Sequence, residues 1–458
     1  MLHHFLLLAS VLQSPATLRL DTFHSGDASV EKVGLDAFRR EGEWPGSRTQ
    51  LVDPTGLGPY QFEVRDLATQ QVLYSRGYAT VFGEWAATAE AKRVWRTFHE
   101  SVRFPEPTGP FQVSLRKRDR TNQFQELFTV AADPRHRSVV QALPAPRIPF
   151  AVQDVEVHGP PATKVDILFL GDGYPEPEPF FADVKRLANV LLATEPYRSR
   201  RDQFNVRGLW VKAGAPGIAD PRKGLWVDAP LGTSFNTFDI DRYVLTSDNR
   251  FLRDVAAQAP YDALLILCNS TKYGGGGIFN LYSTATAGSD QAPYLVVHEF
   301  GHAFAALADE YYTSEVAYVD LTPADVEPWE PNLTALLEPT RLKWRDLVVK
   351  DTPLPTPWDQ AAFDKLSVEF TRRRQALVAQ KASDRDLEAL MAEVKGTTGP
   401  LLQGGPHAGK VGAFEGAGYK AKGLYRPSQD CIMFTRNVDA FCPVCARAVA
   451  RVIDLYVK

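Results

Sequence analysis

Lys164-Val165-Asp166-Ile167-Leu168-Phe169-Leu170, running into Gly171-Asp172-Gly173-Tyr174, sets the architecture of the larger part of this chain. A nearly unbroken apolar run ended by glycines reads as a strand buried on both faces. Downstream, Phe180 to Thr194 has apolar residues at helical spacing and Asn205 to Val211 returns to strand. Arg250 to Gln258 is again helical, and Asp262 to Leu267 is another near-continuous apolar strand. Strands alternating with helices in this order predict a mainly parallel sheet flanked by helices, an α/β domain.

The texture changes upstream. Tyr60-Gln61-Phe62-Glu63-Val64, Val72-Leu73-Tyr74 and Phe111-Gln112-Val113-Ser114-Leu115 alternate or cluster apolar residues as short strands do. Helical periodicity there is confined to about Ala86 to Phe98. Residues 17–143 therefore read as an N-terminal β-sandwich domain. Pro144-Ala145-Pro146-Arg147-Ile148-Pro149 opens a linker over 144–160, and 161–458 is the α/β domain. Within it, about 315–400 turns to Pro-rich loops and one strongly charged helix, Phe363 to Val394, an insertion whose charges lie on a solvated face.

Composition bounds the function classes. A chain of 458 residues is too long for one ordinary core, and 44% hydrophobic with 23% charged residues is ordinary for a globular protein. A net charge of −4 gives no electrostatic case for nucleic acid or an anionic membrane surface. Phe5 to Leu12 is a short apolar run followed by Ser14-Pro15-Ala16, which reads as a signal peptide over 1–16 and hence a secreted or periplasmic protein. The other reading of that run is a buried first strand or helix. No stretch approaches the roughly 20 apolar residues of a membrane span. Three of the four cysteines crowd near the C-terminus, Cys431, Cys442 and Cys445. A CxxC pair is either redox-active or half of a metal site, but no second pair at zinc-finger spacing exists. The expectation is a disulfide from Cys431 to Cys442 or Cys445, tying the last helix to the segment before it.

The chemistry sits in Tyr294-Leu295-Val296-Val297-His298-Glu299-Phe300-Gly301-His302. Residues four apart share a helix face, so His298 and His302 can present imidazole nitrogens to one ion. Zinc, Zn2+, takes such nitrogens and keeps a position open for water in catalytic sites. Glu299 points off the histidine line and is placed to accept the proton of an attacking water. A third ligand is needed. Asp309 is the first candidate and Glu310 the second, on a chain that must fold back soon after His302, with the other carboxylate expected to brace a ligand. His24, His99, His136, His158 and His407 lack partners at ligand spacing and read as structural or exposed. The glycines Gly274 to Gly277 lack the Lys-Ser/Thr and helix start of a phosphate loop.

His298-Glu299-Phe300-Gly301-His302 with Leu307-Ala308-Asp309-Glu310-Tyr311-Tyr312 resembles the zinc signature of the M64 peptidases, the igalysin or IgA-peptidase family. Gly274 to Tyr282, Phe414-Glu415-Gly416-Ala417, Tyr425-Arg426-Pro427, Cys431-Ile432-Met433 and Phe441-Cys442-Pro443-Val444-Cys445 extend the resemblance over nearly the whole chain. It implies a metzincin-like catalytic domain in which Met433 supplies the apolar floor beneath the metal. Ile278 to Ser283 would then be the edge strand to which an extended substrate adds a strand. Two departures stand out. Ala305 and Ala308 occupy the places of the usual metzincin glycine and third ligand. Ala306 stands where M64-like chains carry glycine, a mild change if the position is helical. The resemblance implies an endopeptidase acting on protein or peptide substrates. The rival from another class is a secreted binding protein with a vestigial zinc site, against which the intact His298, Glu299, His302 and Asp309 set argues.

Overall fold

The computed structural model describes residues 15–137, 139–140, 145–314, 316–318, 323, 325–380 and 382–457. Residues 1–14, which carry the expected leader, lie outside that range, and Ala16 begins the first strand. The N-terminal part forms two four-stranded sheets. β1 (Ala16–Gly26), β2 (Glu31–Glu43), β3 (Tyr60–Asp66) and β4 (Val72–Tyr78) are followed by a short helix α1 (Val81–Ala86). β5 (Arg96–Pro105), β6 (Phe111–Arg118), β7 (Phe124–Ala132) and β8 (Val139–Val140) complete the set. The orders are β5-β1-β2-β8 and β4-β3-β6-β7. Leu18, Leu20, Phe38, Phe62, Val64, Phe104, Phe111 and Val113 from both sheets share one core. The helix expected over Ala86 to Phe98 is not formed. After α1 the chain makes one tight turn at Glu90–Lys92 and then enters β5, where ten consecutive pairings to β1 override local propensity.

β1 also explains how this part docks. Leu18 and Leu20 face the core, while Arg19 and Asp21 alternate to the other face and are fully buried. Arg19 meets Asp21, Glu41 and, at 2.6 Å, Asp254 from the second half of the chain. Arg250 to Asp36 at 2.7 Å and Arg103 to the Tyr261 carbonyl at 3.0 Å extend this polar seam.

The second half is built on a six-stranded sheet. β9 (Phe150–Glu156), β10 (Val165–Asp172), α2 (Pro177–Ala193) and β11 (Phe204–Val211) come first. A short ladder, β12 (Thr233–Ser234) with β13 (Leu245–Thr246), precedes α3 (Asn249–Ala256) and β14 (Ala263–Cys268). β15 (Gly275–Ile278) and β16 (Tyr282–Thr286) lead into α4 (Ala292–Ala305). The order is β15-β16-β14-β10-β11-β9, with β16, β14, β10 and β11 mutually parallel and both edge strands antiparallel. β10 shows why its sequence is almost wholly apolar. Ile167 and Phe169 face the layer with α2 and α4, while Leu168 and Leu170 face the layer with α3.

Two expectations change here. Phe150–Glu156, inside the expected linker, is the strand β9, hydrogen-bonded along β11. The single charged helix is two, α5 (Gln360–Ala379) and α6 (Asp384–Gln403), joined by a turn whose Ser383 and Asp386 form a capping box. The pair is cross-linked by Arg373 to Glu393 at 2.6 Å. β17 (Phe414–Ala417), β18 (Lys420–Arg426) and α7 (Pro443–Val457), which packs on α4, close the chain. Among the described residues no helix is long and apolar enough to cross a membrane.

Candidate metal centre

α4 carries His298, Glu299 and His302, and its end is what brings the next ligand candidates back. Ala306 takes the left-handed conformation at φ 56°. Its N–H donates to the His302 carbonyl, the single bond of an αL helix cap, and the Leu307 N–H reaches back to the Gly301 carbonyl. Ala306 is therefore not a helical residue. It occupies a backbone position that glycine adopts without strain, and its Cβ carries the cost. The turn reverses the chain within three residues and delivers Asp309 to the histidines.

The geometry there is compact. His298 Nε2 and His302 Nε2 lie 3.1 Å apart. Asp309 Oδ1 lies 3.1 Å from the first and 3.2 Å from the second. Donors about 2.0–2.1 Å from one centre in tetrahedral directions stand about 3.3–3.4 Å apart, so these three atoms fit one face of a metal tetrahedron. The tautomers agree. His298 Nδ1 lies 3.0 Å from the Ile432 carbonyl, which can only accept, and His302 Nδ1 faces the Leu307 carbonyl. Both Nδ1 atoms thus carry hydrogen and both Nε2 lone pairs aim at the shared point. Burial opposes charge on His302, but the Asp309 carboxylate outweighs it and lifts the imidazole to about 9. A proton and a cation compete for that lone pair.

The two carboxylates diverge. Asp309 turns to the histidines, whereas Glu310 turns away and reaches Asn332 Nδ2 at 3.0 Å and Cys445 Sγ at 3.2 Å. Burial raises the Glu299 carboxyl above its usual range, with the neighbouring histidines pulling it back. Met433 is fully buried against Gly301, where a Cβ would stand 3.2 Å from its sulfur. Gly277 lets β15 lie on the helix: a Cβ there would stand 2.4 Å from the Glu299 carbonyl and 2.8 Å from His302 Cβ. The edge strand is thus Gly275–Ile278 rather than Ile278 to Ser283, and Tyr243 already bridges Gly275 from outside. The expected disulfide is not formed. All four cysteines are free, and the Cys431 and Cys445 sulfurs are 3.9 Å apart.

Several site residues escape the sequence reading. Tyr294 stacks on His298 from one turn earlier, a spacing that the helix pattern itself offers. Tyr419 donates its hydroxyl to Asp309 Oδ2 at 2.5 Å, from the turn between β17 and β18, over a hundred residues away with no local signal. Glu84 of α1 hydrogen-bonds Tyr318 and lines the same cleft. That cleft, about 1010 Å³, is lined by residues of α4 and β15 and by Phe363, Phe370 and Met391 of the α5–α6 hairpin.

Two family profiles match the chain. The profile described as IgA Peptidase M64 matches residues 153–453, and that described as Peptidase M64 N-terminus matches residues 11–129. Among curated proteins no match is found. With both profiles covering most of its length, the chain belongs to the M64 peptidase family.

Proposed function

We propose that this peptidase is a secreted, zinc-dependent endopeptidase with a metzincin-like catalytic domain over 161–458 and a β-sandwich domain over 17–143. The observation that carries the reading is the convergence of His298 Nε2, His302 Nε2 and Asp309 Oδ1 beside a buried Glu299 in a large cleft. His298, His302 and Asp309 would hold the ion, with Met433 as its apolar floor. Zinc, when bound, supplies Lewis acidity, polarising a carbonyl and lowering the pKa of water toward about 7.

The chain's own residues do the rest. Glu299 accepts the proton of the attacking water on its carboxylate and passes it to the leaving amide nitrogen. Its burial suits both roles, because a raised carboxyl pKa brings the protonated form within reach. Tyr419 and the Leu307 and Ile432 carbonyls orient the ligands. The cleft's volume of about 1010 Å³ leaves room for a peptide segment beside these residues. The apolar run Phe5 to Leu12 supports export.

The test is zinc content together with proteolysis of casein, for wild type and Glu299→Ala. The expected result is zinc in both and cleavage only by the wild type. A wild type that binds zinc but cleaves neither casein nor a peptide library would favour a binding protein, and one that binds no zinc would end the reading.

A further inference from the structure

Cys431, Cys442, Cys445 and Glu310 form a second cluster behind the first. All four are buried, and one ligand atom from each lies within 4.8 Å of the others. We propose that this cluster is a structural site for a thiolate-binding divalent ion, of which zinc is the type, with three sulfurs and one carboxylate as its ligands.

The spacing suits an ion better than a disulfide. Sulfurs about 2.3 Å from a tetrahedral zinc stand about 3.8 Å apart. Cys431 and Cys445 are separated by 3.9 Å, and Glu310 Oε1 is 3.2 Å from Cys445 Sγ. A disulfide between any two of the cysteines would leave the third thiol and a buried carboxylate facing each other. Glu310 already has an orphan: its Oε2 is buried without a hydrogen-bond partner. Four-coordinate binding uses all three sulfurs and the carboxylate together. Protons held by the thiols and the carboxyl leave to water as the four metal–ligand bonds form.

Burial opposes charge on Glu310, Cys431 and Cys445, and nearby dipoles and donors offset part of that cost. Cys442 sits at the start of α7, a 15-residue helix whose N-terminal dipole stabilises a thiolate. The Cys442 N–H donates to Cys431 Sγ at 3.3 Å, and Asn332 donates to Glu310 Oε1. The site would carry a net negative charge, and the fully buried Arg426 acts electrostatically on Glu310.

What the site positions follows from its neighbours. Glu310 is next to Asp309, so one peptide unit presents a side chain to each centre. Cys431 precedes Ile432, whose carbonyl fixes His298, and Met433, whose carbonyl accepts the Glu310 N–H at 2.8 Å. An ion here would clamp the Asp309 segment, the Met433 turn and the start of α7 together. The proposal does not depend on catalysis at the first centre.

The experiment uses full chain purified under reducing conditions, with zinc content measured and Co2+ as the spectroscopic probe. The wild type should hold two ions and show a sulfur-to-cobalt charge-transfer band. His298→Ala/His302→Ala should lose one ion and keep that band undiminished. Cys431→Ser/Cys445→Ser should lose the band and one ion, with a lower melting temperature. A folded, reduced wild type without the band, or holding only one ion that the histidine variant loses, overturns the proposal. A histidine variant with unchanged metal content and an intact band upholds it while removing the first centre as a metal site.

Discussion

Tyr419→Phe isolates one atom at the metal centre. The hydroxyl lies 2.5 Å from Asp309 Oδ2, on the side of the carboxylate away from the histidines. Phenylalanine keeps the ring against Tyr311 and Tyr318 at 5.5 and 5.6 Å, and keeps the side chain at a backbone φ of 66°. Only the hydrogen bond goes. A hydrogen bond to a charged group contributes about 1.5–3 kcal/mol. At about 1.4 kcal/mol per tenfold, metal affinity should weaken about 10- to 150-fold. That range overlaps the roughly 10- to 100-fold found when a partner of a metal ligand is removed. The assay is competition for zinc against a chromophoric chelator at neutral pH, with activity read at saturating zinc to separate binding from turnover. If affinity moves by less than about threefold, well under one such hydrogen bond, Asp309 is not a ligand and the reasoning fails.

Ala306→Gly should stabilise the chain by about 1 kcal/mol, since relief of about 1–2 kcal/mol in the left-handed position outweighs about 0.4–1 kcal/mol of added unfolded-state entropy. A lower thermal midpoint would show that the turn is not strained. Gly277→Ala should destabilise by about 1–3 kcal/mol and cut activity, because its Cβ meets the Glu299 carbonyl and His302, and neither backbone can yield without moving the site. Unchanged activity and midpoint would mean that β15 does not rest on α4. His24 is buried between Glu31 and Glu100, where desolvation lowers its pKa but the two carboxylates lift it to about 9. Its stabilisation is complete below pH 6.5 and is lost as pH rises through about 9, up to about 3 kcal/mol at about 1.4 kcal/mol per unit. His24→Gln should flatten the decline of the melting temperature between those values, and an unaltered slope would refute the ion-pair reading.

Patterns confined to one element were legible in the sequence. The apolar runs of β10, β11 and β14 reveal a sheet covered on both faces, and the His298–His302 spacing reveals one helix face. The return of the chain after His302 was also foreseeable, because two carboxylates seven and eight residues on are useless to a straight helix. The errors came where long-range pairing decides. Ala86 to Phe98 has helix-compatible residues, but β1 recruits the last three, Arg96 to Phe98, into a strand. The Phe363 to Val394 charge pattern runs through its own break, because the cap at Ser383 is a two-residue signal inside a polar stretch. Tyr419 and Glu84 reach the cleft only through tertiary folding, and nothing in their own neighbourhoods marks them. Cysteine count and spacing point to a covalent pair, and neither shows that Glu310 stands beside the thiols.

Glu84 belongs to the first half of the chain, yet it stands in the cleft wall beside Tyr318. With the seam of Arg19, Asp254, Arg250 and Asp36, this makes the two halves poor candidates for exchange as separate cassettes. A chimaera joining this catalytic half to a foreign leading half would import a new residue into the cleft and strand buried charges along the seam. Any exchange that keeps the cleft and the seam intact has to carry both halves together.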